Sequence, residues 1–384
     1  MRTLYKLLFI LTITVIVSCK SDDKEKPETS HTEKYFEDYE PPKFLWGYIN
    51  LLGQWAVKPE FDEVRDFSGG LAAVNLKGYW GYINQSGDII IPPQFRNARS
   101  FSDNRAIVQT MELEHWVIDR EGNPILKSAF DRIYPYRKGL AMFISQGFYG
   151  FIDTSGHIAI QNKYDKAQPF QDEITIAVFH GKYGVIDLKG NWVIEPEWDQ
   201  IKKSSYGLFQ LYIDDIVVVK DLEKGYKRSY NNIIIHDSSL DRLIVNEEGG
   251  YILKDSDQNP VSKIFDNIYY AAPGIWIFHE GNYFGVMDHD GNLLTSSKYE
   301  SIYPFKEGRA LMLKNSKWGF LDTLGQEIIS ARFPLAWDFH YGFARIIHSN
   351  RIGYIDKNGN MVIPPVFIEI KDFNENLAAA QNFM

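Results

Sequence analysis

Cysteine is almost absent: of 384 residues only Cys19 carries a thiol. That excludes an internal disulfide, and it leaves the body of the chain without a Cys-ligated metal cage or a cysteine nucleophile. The fold must be held by packing alone. Positive charge is also in deficit, with 41 Lys and Arg against 50 Asp and Glu and a net charge of −9. Nucleic acid or an anionic lipid surface would want a basic face, so neither is expected as the main partner. Helical signals are missing as well. The segments between turn residues are short and rich in Ile, Val and aromatics, which is the pattern of strands. Pro59, Pro92, Pro93, Pro196, Pro364 and Pro365 fall where a helix would have to run. No Gly-x-Ser-x-Gly, His-Glu-x-x-His, Gly-x-Gly-x-x-Gly or phosphate-loop pattern occurs. The nine histidines form no ligand pair, and His289 reads as a solvated residue on a turn tip. No catalytic residue, cofactor or metal is therefore expected.

What the sequence has in quantity is repetition. WGYIN at Trp46-Gly47 to Asn50 returns at Trp80-Gly81 to Asn84. Looser copies begin at Tyr149-Gly150, Tyr183-Gly184, Phe284-Gly285 and Trp318-Gly319, and a further one holds Gly353. The closing Asn or Asp sets a ruler of about 34 residues: Asn50, Asn84, Asp119, Asp153, Asp187, Asp221, Asp255, Asp288, Asp322 and Asp356. A first aromatic series runs in phase with it, from Phe61 and Phe95 to Phe333 and Phe367. A second holds Phe67, Phe101, Tyr136, Phe170, Phe305, Phe339 and Phe373.

Strand alternation places Trp80 and Tyr82 on one face, Gly81 and Ile83 on the other. Apolar groups on both faces require both to be covered, so neighbouring units must stack. The glycine is expected to lie under an aromatic of the adjacent unit. Each Asp/Asn-x-x-Gly that follows is expected to be a type I turn with a left-handed glycine. Calcium is the sharper alternative at Asp288 to Asn292, but the distal ligands are lacking. Asp62, Asp131, Asp165, Asp199 and Asp266 follow the first aromatic series and read as turn or capping groups.

These phased copies resemble the WG-repeat (KWG repeat) family over residues 44–384. The resemblance implies architecture and brings no enzymatic activity with it. Expected is an all-β chain of about ten three-stranded antiparallel units in an open, solenoid-like array. Closed propellers commonly hold four to eight blades, so a closed or split β-propeller is the alternative. Residues 200–260 keep the spacing but lose most landmarks, through drift or through specialisation as a binding surface. The chain stops on the strand that would precede another WG strand, which leaves the last unit incomplete or its edge exposed.

The N-terminus reads as a targeting segment. Arg2, Lys6 and the apolar run Leu7 to Val17 form a signal peptide over residues 1–18, too short to span a membrane. Ile16-Val17-Ser18-Cys19 resembles the lipobox of bacterial lipoproteins, which makes Cys19 the lipidation site. Residues 19–43 form a polar tether. Its Ser21-Asp22-Asp23 resembles the surface-export signal of Bacteroidetes lipoproteins. The expectation is an outer-membrane lipoprotein, displayed on the surface or held on the periplasmic leaflet. Its array is expected to bind a protein or glycan without catalysis. A surface hydrolase with carboxylates in a groove, and a structural spacer, remain alternatives.

Overall fold

The computed structural model describes residues 44–383 apart from 129, 226, 232 and 240. The signal peptide, Cys19 and the tether lie outside the described residues. Ten small antiparallel sheets follow one another along the chain, and no helix occurs among the described residues. Blade 2 shows the plan. Its strands Glu63–Val64, Leu71–Leu76, Tyr79–Asn84 and Ile89–Phe95 pair in sequence order. Leu71–Leu76 and the WG strand Tyr79–Asn84 are buried on both faces. Ile89–Phe95 alternates and forms the exposed edge.

The expected three-stranded unit is thus corrected to four. The additional strand has two residues, too few to show any alternation in the sequence. In blade 7 three strands are formed, Ile235–Ser238, Arg242–Glu247 and Gly250–Asp255, with isolated bridges from Tyr251 to Phe265 and from Lys254 to Pro260 at its edge.

The open array is corrected to a closed ten-bladed β-propeller. Blade 1 joins both ends of the chain: Trp55–Phe61 and Phe44–Asn50 pair with Leu377–Phe383 and Glu369–Ile370. Seven residues of Phe44–Asn50 face seven of Leu377–Phe383, from Phe44 opposite Phe383 to Asn50 opposite Leu377. The strand left over at the C-terminus is the one the first WG strand lacks. Joining them removes two open sheet edges at once.

Rings cement the blades. The Tyr or Phe two places after the WG aromatic packs, tilted or edge-on, against the second-series aromatic of the next blade. Tyr48–Phe67 lie at 4.7 Å, Tyr82–Phe101 at 4.8 Å, Phe151–Phe170 at 4.8 Å and Phe320–Phe339 at 4.8 Å. Tyr354–Phe373, at 4.9 Å, repeats the contact across the last interface, so blade 10 meets blade 1 as any neighbours meet. The tyrosine hydroxyls donate onward: Tyr48 to the Arg65 carbonyl at 2.6 Å, Tyr82 to that of Arg99 at 2.7 Å.

The two glycines of each repeat divide their work in a way the sequence reading reversed. A Cβ on Gly319 would stand 2.5 Å from the Ile329 carbonyl oxygen and 2.7 Å from the Ala331 nitrogen, within its own blade. The outer strand bulges onto the WG strand there. Trp318 faces Phe333, Phe320 faces Ile329, and two extra residues on the outer strand are pressed against the glycine between them. Gly47, Gly81, Gly150 and Gly353 meet the same backbone. At Gly184 the Trp192 ring adds to it and at Gly285 the Phe278 ring lies over it, both from the same blade.

The approach between blades belongs to the turn glycine. Gly325, at φ +77°, would put a Cβ 2.8 Å from Thr295 Cγ2 of the preceding blade, and Gly190 would put one 2.9 Å from Ile160 Cγ2. Gly53 approaches Ile363 of blade 10 in the same way, at 2.8 Å.

Candidate functional site

The turn reading of Asp/Asn-x-x-Gly holds. In the blade 5 turn Asp187 Oδ1 accepts from the Lys189 and Asn191 amides at 2.8 and 2.9 Å, and Gly190 N donates to the Asp187 carbonyl at 2.9 Å. Asp288 is engaged in the same way by Asp290 and Asn292 at 2.9 Å, so its oxygens serve the turn. Among the described residues no cluster of three or more His, Cys, Asp or Glu could hold a metal. His289 is half exposed and lies 3.0 Å from Asp241. The acids after the first aromatic series cap hairpin tips: Asp62 accepts from Lys77 N at 2.7 Å, Asp165 from Gly181 N at 2.8 Å, and Asp266 from Gly281 N at 2.6 Å.

The WG signature residues form no common site. They lie one set per blade, with Trp46, Trp80, Tyr149, Tyr183, Phe284 and Trp318 each facing a first-series ring on the outer strand.

The cleft lies where the rings stop. After Phe170 the second series places Ser204, Ser238 and then Ala271, and it resumes only at Phe305. Their partner positions hold Val185 and Val219, as the partners of Tyr136 and Phe305 hold Val117 and Val286. Each lost ring removes a large plug between blades. Part of the space is taken by a buried polar group absent from the regular blades. Gln210, with 1% of its surface exposed, reaches Ser238 Oγ at 3.4 Å and receives the Tyr212 hydroxyl at 2.5 Å. Beside it an open cleft of about 930 Å³ is lined mainly from blades 5 to 7, with a smaller recess of about 450 Å³, lined in part by Ser204, sharing its wall.

Tyr206 lines the cleft from the loop between Gln200–Lys203 and Phe209–Ile213. Its ring is fixed from behind by Tyr270 at 4.6 Å and Trp276 at 5.8 Å, and its oxygen accepts from Gly274 N at 3.4 Å. Burial pushes its phenol up to about 12. Around it stand Asp221, Glu223, Lys224 and Asp241, with Lys203 paired to Asp172 at 2.5 Å. The hydrogen bond from Lys203, and then its charge, hold the Asp172 carboxyl below the usual carboxylate range. Asp221 Oδ1 accepts the amides of Glu223 and Lys224 at 2.8 and 3.0 Å, which fixes that loop on the rim.

Of these residues only Asp221 was singled out from the sequence, as part of the turn ruler and not as part of a site. The signal that could have found them is the break in the ring series at Ser204 and Ser238, inside the stretch already marked as degenerate.

Solved structures similar to this chain are distant. The computationally designed Ika8 protein is 13% identical, covering 78% of this chain and 93% of its own, with a TM-score of 0.29. A eukaryotic initiation factor is 10% identical over 89% and 98%, with a TM-score of 0.46. BamB from Moraxella catarrhalis is 12% identical over 83% and 91%, with a TM-score of 0.30. No curated protein matches the chain. The WG containing repeat model matches residues 46–80, 80–110, 117–144, 149–183, 183–215, 284–318, 318–350 and 352–382. Those segments make up more than half of the chain, and the interval between 215 and 284 that they skip holds two walls of the cleft. This chain belongs to the WG containing repeat family.

Proposed function

We propose that this protein is a non-catalytic binding module of the cell envelope, whose cleft over blades 5 to 7 receives a protein or glycan. The observation that carries this reading is a cleft walled by charged loops around a fixed tyrosine, lying where the ring series is interrupted and partly walled by the interval that the family model skips. A structural spacer would have uniform blades. A hydrolase would need a carboxyl held protonated to act as acid, and Asp172, held ionised by Lys203, is not suited to that part. The lipobox-like residues around Cys19 support anchoring of this module to the outer membrane through lipid, and Ser21-Asp22-Asp23 supports the surface side. The test is capture of envelope components on the detergent-solubilised full chain, beside a Tyr206→Ala, Asp241→Asn form of matched thermal stability. Loss of capture is expected. Equal capture by both forms would place the binding surface elsewhere.

A further inference from the structure

We propose that the cleft is a carbohydrate subsite for a neutral oligosaccharide, with one sugar ring stacked on Tyr206; this rests on the cleft being the binding site. Its shape favours a small ligand. A volume of about 930 Å³ lies within the range of ligand pockets. A standard protein partner would instead cover roughly 800 Å² of broader surface.

The chemistry favours a sugar. A pyranose offers an apolar face of C–H groups and a rim of hydroxyls, each of which both donates and accepts. Tyr206 provides the flat apolar counterpart, and it is already immobilised by Tyr270, Trp276 and the Gly274 amide. Little side-chain entropy remains to be lost when a ring stacks on it. The rim supplies both kinds of hydrogen-bonding group. Asp221, Glu223 and Asp241 accept, and Lys224 and Lys203 donate. Acids outnumber lysines along the lining, five to three, so an anionic sugar meets net repulsion.

The test measures binding of cellotriose, maltotriose and N-acetylchitotriose to the full chain by calorimetry, with trigalacturonate as the anionic comparison. At least one neutral trisaccharide is expected to bind, at least about tenfold tighter than trigalacturonate, a difference of about 1.4 kcal/mol. Tyr206→Ala should weaken it by about tenfold or more, and Tyr206→Phe should keep it within about threefold, since the ring remains. Asp241→Ala, which removes an exposed acceptor from the lining, should weaken it as well at an unchanged melting temperature. Should no neutral trisaccharide bind at millimolar concentration while the wild-type chain still captures an envelope protein that Tyr206→Ala loses, the sugar proposal is overturned and the cleft serves a protein. Should trisaccharide binding survive both Tyr206→Ala and Asp241→Ala, the sugar lies elsewhere, and this assignment fails with it.

Discussion

Adding a single methyl group at Gly319 probes how the blade is built. The new Cβ would meet the Ile329 carbonyl oxygen at 2.5 Å, the Ala331 nitrogen at 2.7 Å and Met312 Cε at 2.7 Å. Met312 can swing aside, but the two backbone atoms cannot. The bulged outer strand has to retreat by roughly 1 Å to restore a normal separation of about 3.5 Å. That retreat opens one or two ladder bonds, each worth about 0.5–1.5 kcal/mol, and unseats Phe333 from Trp318. Gly319→Ala should therefore cost about 2–3 kcal/mol, within the range for overpacking. Gly308 is the control, since it has φ +80° and open space around its missing Cβ. Gly308→Ala should cost about 1 kcal/mol through backbone strain alone. Gly325→Ala should cost more than Gly308→Ala, because it adds the contact with Thr295 to a similar φ. Urea unfolding supplies the three values, and hydrogen exchange shows where protection is lost. In a closed ring the Gly319→Ala loss should spread over all ten blades in one transition. Equal costs for Gly319 and Gly308 would refute the bulge account. Lost protection confined to about residues 285–360 would refute cooperative closure.

Deleting residues 377–384 removes the partner of the first WG strand, and with it seven facing residues. At about 0.5–1.5 kcal/mol per lost bond this approaches the whole stability of a typical domain, so circular dichroism should show global unfolding; a form that merely frays would refute it. In acid, the turn carboxyls Asp255 and Asp356 are held low first by the Asn259 and Asn360 side-chain amides, then by backbone amides. Their contribution is complete above the unfolded value near 3.8 and disappears as pH falls through the lower folded value. Stability measured in urea from pH 5 to pH 2 should fall below about pH 4. Asp356→Asn should flatten that fall while keeping the turn, since Asn50 and Asn84 already accept the same amides. Cys19→Ala should leave the membrane fraction or remain unprocessed, and a processed form that still sediments with membranes would count against lipid anchoring.

Much of the blade was legible in the residues. The ruler of Asn and Asp located every WG strand, and Asp/Asn-x-x-Gly specified its turn, because both are local: a carboxylate reaching the amides two and four residues on needs nothing beyond its own loop. Burial on both faces of WGYIN announced stacked neighbours correctly. The cleft was legible only as an interruption. Ser204 and Ser238 mark missing rings, but nothing in the sequence shows that Tyr206 turns to pack on Tyr270 and Trp276, some 64 to 70 residues away.

The sequence by itself determined the period, three of the four strands of the unit and its turns, since these follow from side-chain alternation and short-range hydrogen bonds. Only the tertiary structure decided that ten units close into a ring. Closure depends on the small angle between neighbouring blades, accumulated over ten interfaces, and no single repeat encodes that sum. It also decided which glycine serves which contact. Gly319 yields to the backbone of its own bulged strand, and Gly325 to the preceding blade. A glycine in a sequence announces a close approach, but what approaches it depends on the packing of strands far apart in the chain.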